Sequence, residues 1–95
     1  MTKQELLEKV KVGLGNVPSH LDETINLYIE EVINYMLSAG VSETLLKEDN
    51  ISEKCTGAII RGVSDLWNYG NGDTKLSEYF YQRVDQLRGV IDENV

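Results

Sequence analysis

The chain has 95 residues, 41% apolar and 26% charged, a composition typical of one folded domain with a modest core. Its net charge of −7, with 9 scattered basic residues against 16 acidic ones, disfavours tight DNA binding, which needs a basic patch. No apolar run reaches the roughly 18 residues of a membrane span, and we expect no signal peptide and no membrane partner. The lone Cys55 excludes an internal disulfide and fits a reducing compartment.

The first forty residues predict two helices. A capping box at Thr2 opens a helix over 3–12. A longer helix is predicted over 20–39, with Ser19 as its cap and Gly40 as a left-handed stop. At 100° per residue its apolar side chains cover about 200° of the circumference, which predicts a central helix with several neighbours. These side chains are Leu21, Ile25, Tyr28, Ile29, Val32, Ile33, Tyr35, Met36 and Leu37.

The middle of the chain predicts a short helical turn over 42–47, a polar loop over 47–50 and a third helix over 53–69. The third helix also has a wide apolar arc, interrupted by Gly57 and Gly62. Each glycine costs about 1 kcal/mol relative to alanine, which favours a close approach between helices at these positions. We therefore expect the second and third helices to form the centre of the domain.

A fourth helix is predicted over 77–88, ended by Gly89 and opened by a cap from Asp73 or Ser77. Its apolar seam is narrow, which is typical of a peripheral helix. The seam contains Phe80, Val84, Leu87 and Ile91. The pattern is helical throughout, so we expect one all-α domain over 1–95: a small bundle of about four main helices, two of them central, with short connecting turns.

Three of the seven aromatic residues are consecutive: Tyr79, Phe80 and Tyr81. Successive helical residues point 100° apart, so one core cannot bury all three. Phe80 lies on the seam, which leaves Tyr79 and Tyr81 flanking it. Tyrosines with an apolar ring and a polar tip are favoured at protein interfaces, but they also pack over loops of their own subunit. Both interpretations remain open.

Residues that carry chemistry are few and isolated. The only histidine, His20, has no metal-ligating partner at zinc spacing, and Cys55 fits a small core position. The turn containing Asn71 and Asp73 lacks the preceding strand and the Lys-Ser/Thr pair of a phosphate loop, so we interpret it as a helix stop and cap. No nucleophile, base and oxyanion donor occur together. We expect no enzyme activity, no cofactor and no metal.

The last third of the chain has a distinctive order of residues. Trp67-Asn68-Tyr69-Gly70 precedes Asn71-Gly72-Asp73, and Leu76-Ser77-Glu78-Tyr79-Phe80 leads to Gln86-Leu87-Arg88-Gly89. This order resembles the small bacteriophage head–tail connector family, in particular the putative DNA-packaging branch named after its Gln-Leu-Arg-Gly run. The resemblance covers the C-terminal third, and the remainder agrees in length and helical pattern.

The resemblance implies a structural protein of the virion, located at the head–tail junction and in the host cytoplasm during assembly. A connector of this kind forms a ring of identical subunits on the portal protein, extends the DNA channel and provides the surface for a tail-side completion protein. DNA would pass through without specific binding, since an acidic lumen repels phosphates.

A ring with heterologous contacts needs two different complementary faces on each subunit. We expect one face to include Tyr79, Tyr81, Arg83 and Arg88 on the fourth helix. The other is expected to include acidic positions of the second helix. These are Glu30 and Glu31. The turn residues Asn71 and Asp73 are further contact candidates.

Two other classes of protein remain as alternatives. The third and fourth helices superficially resemble a helix-turn-helix, so a small DNA-binding or DNA-packaging accessory protein of a phage or prophage is the first alternative. Its recognition helix would open Ser-Glu-Tyr-Phe and carry only Arg83 and Arg88 as basic residues, fewer than phosphate contacts usually require. A small enzyme or cofactor binder is the second alternative, and nothing in the residue pattern favours it.

Overall fold

Four α-helices account for most of the computed structural model, which describes residues 1–69 and 76–90. Their bounds lie close to the predicted ones, and the predicted all-α bundle is confirmed. The helices are α1 (Lys3–Gly13), α2 (Asp22–Ser38), α3 (Thr56–Tyr69) and α4 (Glu78–Leu87). Short 3-10 turns lie between them, at Ser19–Leu21, Glu43–Leu45 and Glu53–Cys55.

Helix α3 is the centre of the bundle, because it packs against α1, α2 and α4. Helix α2 packs against both α3 and α1, so the predicted central pair is confirmed. Apolar side chains from all four helices meet in one core. Its fully buried larger members are Leu6, Val10, Ile25, Val32, Met36, Leu45, Ile59, Val63 and Phe80.

Helix α1 begins as predicted: the Thr2 hydroxyl accepts a hydrogen bond from the Glu5 backbone N–H, and the Glu5 carboxylate accepts one from the Thr2 backbone N–H. The predicted cap of the second helix at Ser19 is wrong. Pro18 leads into a 3-10 turn in which the Leu21 N–H donates to the Pro18 carbonyl, so Ser19 lies too early in the chain to cap α2.

The apolar arc of α2 is only partly buried. A narrow stripe lies in the core, namely Ile25, Ile29, Val32 and Met36. Other members of the predicted arc, among them Tyr28, Ile33 and Leu37, are half-buried along the edges of this stripe. They leave apolar surface on both flanks of the helix.

The prediction of a polar loop over 47–50 is wrong, because these residues form part of a small hairpin. Strand β1 (Leu46–Lys47) pairs antiparallel with β2 (Asn50–Ile51), and Asp49 adopts a φ of 58° at the turn. The Ile51 N–H also donates to the Met1 carbonyl at 2.8 Å. The hairpin thereby joins the start of α1 to the region after α2.

Two predicted glycine roles are confirmed. Gly40 ends the α2 region with a φ of 99°, a left-handed conformation that glycine adopts without steric cost. Gly62 lies where α3 meets both α2 and α4, and a Cβ there would be 2.8 Å from the Phe80 ring and 2.9 Å from the Val32 methyl groups. The missing side chain therefore allows the three helices to approach closely.

Candidate interaction surfaces

Within the described ranges, no group of three or more His, Cys, Asp or Glu residues is placed to hold a metal ion. His20 is exposed, while Cys55 is buried as predicted for a core position. Desolvation raises the pKa of the Cys55 thiol to about 11, so it remains protonated near neutral pH. Over the same part of the chain, no helix is long and apolar enough to cross a membrane.

Helix α4 is one-sided, as its sequence predicts. Phe80, Val84 and Leu87 are buried, and Ile91, the fourth predicted seam residue, lies outside the described residues. Tyr79 is 52% exposed and Tyr81 39%. Phe80 thus lies in the core with both tyrosines flanking it, as predicted, while their role at an interface stays a prediction.

One flank of α4 carries a mixed cationic and aromatic surface. The Arg83 guanidinium carbon lies 5.3 Å from the centre of the Tyr79 ring, and an Arg83 nitrogen donates to the Tyr79 hydroxyl at 3.0 Å. The Arg61 guanidinium, from α3, lies 5.7 Å from the same ring. We call Arg61, Tyr79 and Arg83 the cation–aromatic patch. Cations held over a tyrosine ring are attracted by its quadrupole, which favours this arrangement.

A buried carboxylate holds the patch in place. Asp65 is 2% exposed and pairs with Arg61 at 3.1 Å. Its other oxygen accepts hydrogen bonds from the Ser77 backbone N–H at 3.0 Å and from the Ser77 hydroxyl at 2.7 Å. Ser77 is the N-cap of α4, and its hydroxyl accepts from the Phe80 N–H. Asp65 therefore links one arginine of the patch to the first turn of α4.

The opposite flank of α4 carries the other two candidates. The Tyr81 ring lies 5.6 Å from that of Tyr35 on α2, and Tyr35 also contacts Phe80. Arg88 pairs with Asp85 at 3.0 Å and lies near Gly40. The expectation that the four α4 candidates share one face is therefore wrong: they form two separate pairs on either side of the buried seam.

A groove lies on the far flank of α2, between this helix, the hairpin and the start of α1. Its volume is about 480 Å³. The apolar floor consists of Ile33, Leu37, Leu46 and Ile51. Lys3, Glu30 and Glu48 form the rim. We call this feature the acidic groove, because Asp49 also lies beside it, with its carboxylate accepting from the Lys3 backbone N–H at 3.3 Å.

The charged groups around Lys3 determine whether the acidic groove is positive or negative overall. Its ammonium pairs with Glu48 at 3.1 Å, and this hydrogen bond and charge are the main reasons that the pKa of Lys3 is raised. Glu30 and Asp49 raise it further. The three carboxylates outnumber the two ammonium groups at the groove, because the only other cation that the described residues place there is the Met1 ammonium, which donates to the Ile51 carbonyl at 2.7 Å.

The remaining candidates are not brought together. Glu31 is exposed but points 100° further round α2 than Glu30, away from the acidic groove. Asn71 and Asp73 lie outside the described residues.

Sequence reasoning missed Arg61 and Asp65. A signal for Asp65 was present, because it follows Ala58 by seven residues and so lies on the same side of α3 as that buried alanine. No such pattern marks Arg61, whose position matters only because α4 places Tyr79 beside it.

No protein-family model, curated protein or solved structure matches the chain. The fold and surfaces define a small acidic helical bundle with exposed aromatic, cationic and anionic faces.

Proposed function

We propose that this protein is a bacteriophage head–tail connector subunit, which adds to the portal as a ring, extends the DNA channel and provides the tail-attachment surface. The observation that supports this most is the distribution of aromatic residues on α4. The core is filled by Phe80, while Tyr79 and Tyr81 remain exposed on both flanks. Amphipathic aromatic side chains left on the surface of an outer helix are typical of protein interfaces.

The residues that carry the sequence resemblance have clear structural roles at the end of α4. Leu87 closes the buried seam, Arg88 follows the last helical residue and pairs with Asp85, and Gly89 is exposed in the turn. This run thus combines one core contact with an exposed polar end, at which Arg88 is paired with Asp85. Such an exposed end is accessible for docking on the portal.

Portal docking tests the proposal directly. The chain should bind the purified portal ring encoded by the same genome and add a ring of density at one end in electron micrographs. A Tyr79→Ser/Tyr81→Ser variant should keep its helical circular dichroism but bind at least about tenfold more weakly, because large interfacial aromatics dominate binding energy. Gln82→Ala, an exposed change on the same helix, serves as the matched control. Absence of portal binding by the unmodified chain, or of a portal gene, would contradict the proposal.

DNA binding separates the proposal from the DNA-binding alternative. The cation–aromatic patch presents two arginines, and one of them is already paired with Asp65. We therefore expect a dissociation constant for a short duplex weaker than about 0.1 mM at roughly 0.15 M salt, measured by fluorescence anisotropy. Arg83→Ala should leave the weak signal and its salt dependence unchanged. A DNA-binding protein would instead bind tightly. In that case Arg83→Ala would reduce the slope of log affinity against log salt concentration by about one unit.

A further inference from the structure

We infer that neighbouring copies join head to tail, with the cation–aromatic patch of one copy seated over the acidic groove of the next. This rests on the proposed function, since it specifies how the subunits of the ring would contact each other. It assigns the contact to Arg61, Tyr79 and Arg83 on one side, and to the rim of Glu30 and Glu48 on the other.

The two surfaces have opposite net charges. In the patch, Arg61 pairs with Asp65, whereas Arg83 forms no ion pair with any residue of 1–69 or 76–90. The patch therefore keeps one net positive charge in a chain whose overall charge is −7. At the groove, the three carboxylates of Glu30, Glu48 and Asp49 outnumber the ammonium groups of Lys3 and Met1 by one negative charge. Complementary charge of this kind steers association and excludes incorrect pairings.

One surface carries an exposed aromatic side chain and the other is a depression, as a head-to-tail contact requires. Tyr79 is 52% exposed on α4, while the groove is a depression of about 480 Å³ with an apolar floor. A tyrosine ring entering such a depression buries apolar area and can leave its hydroxyl at the rim. Arginines beside the ring would then reach the carboxylates of the rim, where a bidentate hydrogen-bonded pair can form.

The two surfaces are built from different elements of the fold. Helix α2 contacts α4 through Tyr35 on one flank, whereas Glu30, Ile33 and Leu37 line the groove on the other flank. The patch, on α3 and α4, and the groove, on α2, the hairpin and the start of α1, are therefore two different surfaces of the chain. A contact between two different surfaces of identical subunits is heterologous, and it generates a closed ring when the rotation permits.

Paramagnetic relaxation in mixed samples tests the contact. One copy, prepared without ¹⁵N, carries a spin label on Gln86→Cys, an exposed position three residues after Arg83. Cys55 does not compete for the label, because it is buried with a pKa of about 11. Mixed with ¹⁵N-labelled unmodified protein at about 1 mM, where weak complexes are populated, the label should broaden amides near Glu30, Leu37 and Glu48. Broadening confined to other surfaces, or none, would overturn the inference.

A charge exchange tests the pairing itself. Arg83→Glu in the spin-labelled copy, or Glu30→Arg in the ¹⁵N-labelled copy, should each reduce the intermolecular broadening by on the order of tenfold when the other copy is unmodified. A mixture in which the spin-labelled copy carries Arg83→Glu and the ¹⁵N-labelled copy carries Glu30→Arg should restore it, because the two reversed charges again attract. Equal losses in the single and combined samples would overturn the proposed pairing.

The matched controls are charge reversals on α2 and at the end of α4, outside the proposed contact. Arg88→Glu and Glu31→Arg reverse exposed charges that lie outside the patch and the groove, so both should leave the broadening unchanged. An equal effect of these changes would show that net charge alone governs association, and the inference would fail. If the chain adds to the portal but the patch contacts only the portal, the inference also fails while the proposed function stands.

Discussion

A Gly62→Ala variant is expected to unfold roughly 5–15 °C below the unmodified protein in a thermal melt, since each kcal/mol lost lowers the midpoint by about 4–8 °C for a domain of this size. Its Cβ would lie 2.8 Å from the Phe80 ring and 2.9 Å from both Val32 methyl groups. Phe80 and Val32 are fully buried and cannot move aside. Because three contacts are too short, the overpacking should cost about 2–3 kcal/mol, the upper part of the usual range, against the roughly 1 kcal/mol that alanine gains in helix propensity, which leaves a net loss of about 1–2 kcal/mol.

The matched control is Gly57→Ala in the same helix. There the added Cβ would meet an Arg83 guanidinium nitrogen at 3.3 Å, which is the far end of a long and mostly exposed side chain. That side chain can shift, so the alanine should raise stability by up to about 1 kcal/mol. Equal melting temperatures for the two variants would show that the close contact at Gly62 has no energetic consequence.

The Gly62 contact illustrates how much of the fold the sequence can predict. A glycine within an apolar helical arc indicates that another helix passes close by, but it does not identify the neighbours. The capping box at Thr2, the left-handed Gly40 and the one-sided α4 are similarly local, because each depends on spacing within a few residues. Local signals of this kind predicted the four helices close to their actual bounds.

The hairpin is different, because its stability comes from contacts outside its own segment. Each strand has two residues, which is too short for an alternating pattern to be recognised. Its pairing of Leu46 with Ile51 is supported by the Met1 backbone and by the positive φ of Asp49. A polar stretch of this composition is equally compatible with an irregular loop.

Some features of the candidate surfaces also depend only on local sequence, while others depend on how distant segments pack. The separation of Tyr79 and Arg83 from Tyr81 and Arg88 follows from 100° per residue, although we expected all four on one face. The addition of Arg61 requires the packing of α4 on α3. The acidic groove requires the hairpin, since Glu48 comes near Glu30 only when that segment folds against α2.

Asp65→Ala is expected to lower the free energy of unfolding by about 2–4 kcal/mol, because it removes charge-assisted hydrogen bonds and leaves the donors of Ser77 unsatisfied. The estimate lies below the usual cost of breaking a buried ion pair, since Arg61 is half-exposed and can turn to water. Urea denaturation measures the change. Asn68→Ala, which removes an exposed hydrogen bond to Ser64 on the same helix, should cost less than about 0.5 kcal/mol.

The loss should be concentrated at the start of α4. Ser77 holds the first turn through its hydroxyl, and Asp65 holds Ser77 to α3, so the carboxylate acts on α4 through the cap. In a double-mutant cycle, Asp65→Ala and Ser77→Ala should together cost clearly less than the sum of their separate effects. Additive effects would show that Asp65 stabilises the protein by another route.

The same variant connects stability to the proposed interface. Without Asp65, Arg61 loses the carboxylate that directs it towards Tyr79, and the turn that positions Tyr79 loses its link to α3. Hydrogen exchange should therefore quicken first at the amides of Phe80 and Tyr81, while the amides of α2 remain protected. The intermolecular broadening at the acidic groove should weaken as well, at denaturant concentrations too low to unfold the protein. If α4 opens but the broadening persists, the contact between copies cannot depend on the cation–aromatic patch.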